Sequence, residues 1–183
     1  LLVIVSLCQA QKHTYKIEWK GDSIGYLIAE KTKQGTLTKI ELTSVSEFSI
    51  IFSFQMETEY LSVFHNDQML SAHSRSTLNN KERSNTTTKY VNDFYEITHD
   101  GKIDRIEKAI SESIATLYFT PPTGQEVYSE RHGIFCKIEK VTENHYRLIK
   151  PDDRVNDYKY TAKGCDEVQV DLAMANILLK RIL

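Results

Sequence analysis

A chain of 183 residues that is 40% hydrophobic and 26% charged, with ten tyrosines, seven phenylalanines and one tryptophan, is a single domain with enough apolar material for a packed core. Those proportions and only three cysteines exclude a disordered chain, a collagen-like fibre and a cysteine-dense mini-scaffold. A net charge of -2 lacks the basic face of a nucleic-acid binder, and the longest uncharged apolar run is too short for a transmembrane span.

That run is the N-terminus. Leu1 to Gln11 carries no charge and reads as the end of a signal-peptide core with cleavage after Ala10. Residues 1–10 are then a signal remnant, 11–183 one β-rich domain, and the protein is exported to a periplasm or the cell exterior. Two readings compete. Leu2-Val3-Ile4-Val5 also suits a buried strand. Cys8 also suits a lipidated cysteine, although Leu7 stands where that processing prefers a small residue.

The body reads as strands. Tyr15, Ile17 and Trp19 alternate with Lys16, Glu18 and Lys20, the period of a half-buried strand. Gly21-Asp22 makes a turn, and Ile24 to Ile28 begins the next strand. Leu37, Ile40 and Leu42 lie in a Thr-rich strand, Phe48 to Phe64 forms one long bent strand or two, and Gln68 to Leu78 continues the pattern. The polar stretch Asn79 to Asn85 interrupts it, and Lys81, Arg83 and Lys89 belong to a solvated loop. Tyr90 to Thr98 then leads into Asp100-Gly101, a two-residue hairpin signal whose return strand is Lys102 to Ile106.

One helix has a claim. Ile106, Ile110, Ile114 and Leu117 recur on one side of a helical period, which predicts a short helix between Glu107 and Leu117, ending before Pro121-Pro122. Strands resume at Val127 to Ser129, Ile134 to Val141, Tyr146 to Ile149, Tyr158 to Thr161 and Val168 to Leu172. Glu143-Asn144, Pro151-Asp152-Asp153 and Lys163-Gly164 supply the breaks. Asn176 to Leu183 closes the chain as a strand or a helical turn. The fold class is mainly β: a curved antiparallel sheet or open barrel with one short helix packed on it.

Local chemistry is sparse. No phosphate loop, nucleophile elbow or zinc-helix signature occurs, and the six histidines are scattered, so no cofactor or metal is expected. His132 with Cys136 is the one close His/Cys pair, and a lone strand cysteine beside a loop histidine accounts for it. Asp152, Asp153, Asn156 and Asp157 read as turn chemistry rather than a calcium loop, which needs alternating carboxylates and a glycine. Glu126 and Glu130 form an acid/base pair only if the fold brings them together; as strand-edge carboxylates they are exposed. Asn85-Thr86-Thr87 matches a glycosylation sequon of the eukaryotic secretory route. If Cys8 leaves with the signal, Cys136 and Cys165 permit one disulfide; alternatively each is a small buried hydrophobe.

Ile24-Gly25-Tyr26-Leu27, Leu117-Tyr118-Phe119-Thr120-Pro121-Pro122, Val127-Tyr128-Ser129-Glu130, Tyr146 to Asp152 and Asn156-Asp157-Tyr158-Lys159-Tyr160 together resemble a family of secreted bacterial proteins known only as a domain of unknown function. The resemblance implies an exported, predominantly β single domain and brings no catalytic residue with it. Two function classes follow. In the first, a non-enzymatic binding or structural module of the cell envelope holds an apolar small molecule or envelope component on its concave face, with Trp19, Tyr118, Phe119 and Tyr128 as lining aromatics. In the second, a hydrolase-like enzyme works through carboxylates or Arg147 gathered only by the fold.

Overall fold

The computed structural model of the chain describes residues 8–49, 53–172 and 175–182. Leu1 to Leu7 of the apolar start lie outside the described residues. Eight strands follow one another as hairpins: β1 (Cys8–Trp19), β2 (Asp22–Gln34), β3 (Leu37–Ser49), β4 (Ser53–His65), β5 (Gln68–Leu78), β6 (Lys81–Val91), β7 (Phe94–His99) and β8 (Lys102–Ile106). A crossover containing one 3₁₀ turn, Thr116–Tyr118, leads to a second run of hairpins. These are β9 (Glu126–Ser129), β10 (Ile134–Thr142), β11 (His145–Ile149), β12 (Val155–Thr161), β13 (Gly164–Leu172) and β14 (Ala175–Arg181). All described strands join one antiparallel sheet, in which β14 pairs with β1 and leaves β8 and β9 as the two edges.

The turns explain why the chain reverses where it does. Lys20-Gly21, Asn66-Asp67, Asn79-Asn80, Asn92-Asp93 and Asp100-Gly101 all have positive φ at both positions. Tight hairpins demand that geometry because its twist matches that of the flanking strands, and Gly, Asn and Asp adopt it at least cost. Asp100-Gly101 joins Phe94–His99 to Lys102–Ile106, as its sequence predicts. Gly101 has φ +81° and open space where a Cβ would sit, so its requirement is purely conformational. Replacing Gly101 by Val is therefore expected to lower the unfolding free energy by about 1 kcal/mol or more. An unchanged urea midpoint would contradict that turn.

Four sequence expectations need correction. Glu107 to Leu117 is not a helix. Apart from turn bonds at its end, its backbone groups find partners on neighbouring elements: Met69 N–H donates to Ile110 O at 2.8 Å, Tyr128 N–H to Glu112 O at 3.0 Å, and Ile114 N–H to Tyr128 O at 2.9 Å. The periodic apolar residues Ile110 and Leu117 are buried, but as the anchors of an irregular crossover. The stretch Asn79 to Asn85 breaks only at its first two residues; Lys81, Arg83 and Lys89 are exposed positions of β6, alternating with buried Ser84, Thr86 and Thr88. Tyr90 to Thr98 is split by Asn92-Asp93. The first hairpin turn is Lys20-Gly21, one residue earlier than read, and the C-terminal segment is the strand β14.

The disulfide is also corrected. Cys136 and Cys165 are free and buried. They sit on β10 and β13 with two strands between them, about 14 Å along the sheet at the usual strand spacing. A bridge needs Cα atoms within about 7 Å.

The sheet rolls until β9 and the turn after it lie against the inner faces of β4 to β7. Tyr128 OH and Thr88 Oγ1 are 2.6 Å apart, Thr86 Oγ1 donates to Arg131 O at 2.7 Å, and Ser62 Oγ donates to Glu130 Oε1 at 2.9 Å. Edge strand β9 and its turn therefore meet the opposite part of the sheet through side-chain hydrogen bonds rather than a ladder. The result is barrel-like and not closed.

Candidate cavity inside the rolled sheet

Strand register divides the interior into two ends. The crossover fills one of them. Ile110, Ala115, Leu117, Tyr118 and Phe119 are all buried there. Tyrosines on the wall hold its backbone: Tyr15 OH donates to Tyr118 O at 3.2 Å and to Cys165 O at 2.9 Å, and Tyr160 OH donates to Leu117 O at 2.8 Å. His13 Nδ1 lies 3.0 Å from the same Tyr118 oxygen. These bonds satisfy carbonyls that an irregular buried segment would otherwise leave unpaired.

Glu130 fixes the crossover from the other side. It is 1% exposed, and its carboxyl accepts from Ser62 Oγ, from Ala115 N–H at 3.1 Å and from Ile114 N–H at 3.2 Å. Burial raises its pKa above the ordinary carboxylate value, against the downward pull of those hydrogen bonds. Glu126, four residues earlier, is exposed and paired with Lys108. The two glutamates thus occupy different environments and form no acid/base pair.

Toward the opposite end the interior is hollow. A cavity of ≈150 Å³ that reaches solvent has Ile17, Leu42, Val170, Leu179 and Ile177 on one wall, with Ile114 and Tyr118 of the crossover as its floor. Ser44, Ser46 and Thr58 add hydroxyls, and the Asn156 carboxamide oxygen is buried without a hydrogen-bond partner among the described residues. Arg131, His132 and Lys150 are the basic members of the lining. Burial lowers the pKa of His132, helped by the adjacent Arg131 charge, and burial likewise lowers that of Lys150, helped by Arg154.

Of the four aromatics expected to line a ligand site, Tyr118 alone lines this cavity. Trp19 packs edge-on against Phe48 with centroids 5.9 Å apart, at the β1–β2 tip. Phe119 lies against His13 in the filled half, and Tyr128 is fully buried between Thr88 and Phe135. Two of the four stand on strands and two in the crossover, and only the roll of the sheet decides which core positions border empty space.

Other candidates resolve into structural roles. Burial pushes the Cys136 thiol up to about 11 and the Cys165 thiol up to about 12, so both stay protonated at neutral pH. Asp152 is bound by Arg154 in its turn, and no cluster of three metal-ligating side chains occurs among the described residues. Arg147 and His145 both bind Asp157, at 2.9 Å each, on the face of β11 opposite buried Leu148. Asn85, the sequon asparagine, is held in β6 by His73 Nε2 at 3.1 Å. No helix among the described residues is long and apolar enough to cross a membrane.

A rolled antiparallel sheet, plugged at one end by its own crossover and hollow at the other, defines a β-barrel-like domain with an interior cavity. The chain belongs to the family described as domain of unknown function DUF6134, whose profile matches residues 15–182. The resemblance read from its motifs therefore led to a family without an assigned function. The fold is also similar to the crystal structure of a β-barrel-like protein of domain of unknown function DUF1849 from Brucella abortus. That match covers 97% of both chains, with a TM-score of 0.57 and 8% sequence identity, and it concerns the fold alone. No curated protein sequence matches the chain.

Proposed function

We propose that this protein is an exported, non-enzymatic binding module that holds the apolar part of a small molecule inside the rolled sheet. The observation that carries this reading is the solvent-connected cavity of ≈150 Å³ with aliphatic walls from β1, β3, β13 and β14. A dry cavity of ~150 Å³ lined by aliphatic side chains admits benzene, so the bound portion has the size of one ring or a chain of about six carbons. The walls are strands of one continuous sheet, which makes the site largely pre-formed and keeps the ordering cost of binding low.

Hexanol is expected to bind the purified protein with measurable heat in isothermal titration, and Val170→Phe, which fills the lining, is expected to abolish that binding while the chain stays folded. Failure of the unmodified protein to bind hexanol, benzene and indole would overturn the reading. Export rests on the uncharged apolar start and on the family resemblance. Cleavage after Ala10 removes three residues from the described part of β1 and leaves Tyr15 and Ile17 in the core. N-terminal sequencing of material from an envelope or culture fraction should begin at or near Gln11; an intact Leu1 in a cytosolic fraction would contradict it.

A further inference from the structure

We infer that the cavity selects an organic anion: an acid whose apolar part enters the aliphatic pocket while its head group is held by Arg131, Lys150 and His132. This rests on the binding reading above and goes further by assigning a ligand charge and the residues that read it.

The argument begins with the charges that are not neutralised. Basic side chains nearby already have carboxylate partners: Arg154 is bound by Asp152, and Arg147 by Asp157 at 2.9 Å. Lys150 donates instead to a backbone carbonyl, that of Asp171, and neither Arg131 nor His132 joins an ion pair among the described residues. All three line the same cavity and are half-buried. The acidic groups facing them are few. Asp152, which acts on Lys150 and His132, is bound by Arg154; Asp171 on β13 acts on both Lys150 and Arg154; and Glu130 is enclosed by donors from Ser62, Ala115 and Ile114. Arg131 and Lys150 are partly buried cations without a bound carboxylate, which is costly, and an anion entering from solvent relieves that cost; His132, whose pKa burial lowers, offers a ring N–H rather than a charge.

Placement supplies the second half. Arg131 and His132 stand in the turn between β9 and β10, and Lys150 stands at the end of β11. The pairings of Ile134 with Ser129, Lys137 with Ile149, Asn156 with Val170 and Trp19 with Ile177 put both turns at the hollow end of the roll. Leu42, Val170 and Leu179 continue the lining on the sheet wall. The site therefore joins a cationic group to an apolar wall, which fits a carboxylate with a short hydrocarbon tail. A planar guanidinium also offers two parallel donors to such a group.

Three probes of equal length test this: hexanoate, hexanol and hexylamine, titrated calorimetrically at low salt. Hexanoate is expected to bind about tenfold more tightly than hexanol, with the advantage shrinking as salt is added, and hexylamine more weakly than either. Arg131→Gln combined with Lys150→Gln should bring hexanoate down to the affinity of hexanol, while urea unfolding of the double variant reports that the fold survives the substitutions. Equal affinities for hexanoate and hexanol in the unmodified protein would overturn the head-group assignment and leave the binding reading standing. Absence of binding by all three would overturn both.

Discussion

Replacing Glu130 by Ala is expected to cost about 3 kcal/mol of stability, among the largest single-residue losses in the chain. Among the described residues the carboxyl is the only acceptor for Ala115 N–H and Ser62 Oγ, and it shares Ile114 N–H with Tyr128 O. Truncation leaves two buried donors without partners and opens space beneath the crossover, so packing and hydrogen bonding are lost together. Glu130→Gln keeps an amide oxygen for those donors and should cost clearly less.

The same pair of variants exposes a pH dependence whose sign follows from burial. The folded state raises Glu130 above its ordinary value of 4.5. Between that value and the raised one, the folded chain retains a proton that the unfolded chain has released, so stability falls as pH rises across this window. Urea unfolding followed through the single tryptophan, Trp19, should show this slope in the unmodified protein. The slope should be reduced in Glu130→Gln. Identical slopes, or a loss below about 1 kcal/mol for Glu130→Ala, would show that the carboxyl is not the clamp of the crossover.

Gly25→Ala is expected to be comparably damaging, chiefly for a steric reason added to the strain of its φ of +158°. Ile17 pairs with Gly25 and Glu18 with Ser23, so β2 carries a bulge at this point. A Cβ on residue 25 would lie 2.0 Å from Val45 O and 2.7 Å from Ser46 Cα, both backbone atoms of β3. Neither can swing aside as a side chain would. The substitution must push β2 and β3 apart, at a cost of about 3 kcal/mol. Because Ser44 and Ser46 line the cavity from β3, such a shift would also change the site. Gly21→Ala is the control: its Cβ meets nothing within 4 Å, and its φ of +91° charges only the left-handed penalty. A Gly25→Ala loss no larger than that of Gly21→Ala would refute the close approach.

Much of the fold was legible because its determinants are local. Asp100-Gly101 announces its hairpin through two residues that tolerate positive φ, and Tyr15, Ile17 and Trp19 announce β1 by alternation. β6 was hidden for the same kind of reason. Its buried members are Ser84, Thr86 and Thr88, so the inward face reads as polar and the strand reads as a loop. Ser84 pairs with Ser76 of β5, and Thr86 and Thr88 are inside because β9 and its turn bring Arg131 and Tyr128 as partners, which no neighbouring residue in sequence reports. The crossover misled in the opposite direction. Ile110, Ile114 and Leu117 have helical spacing, yet the partners on β5 and β9 win their backbone groups.

The cavity was the least legible part. Its aliphatic wall combines Ile17, Leu42, Val170 and Leu179, one or two residues from each of several strands, and no spacing rule connects them. Glu130 looked like a surface carboxylate because Ser129-Glu130-Arg131-His132-Gly133 has the composition of an exposed turn. Of the basic group, the sequence singles out only His132, and that as a neighbour of Cys136. Lys150 joins it through the parallel courses of two turns at one end of the roll.

Methyl-resolved NMR of the labelled protein during titration with hexanoate tests the central claim most directly. The account predicts shift changes concentrated at Ile17, Leu42, Val170 and Leu179, which border the cavity, with Ile97 and Val127 in the packed interior unchanged. Changes confined to outward residues such as Ile103, 73% exposed on the edge strand β8, would contradict an interior site, as would a spectrum that does not respond at all.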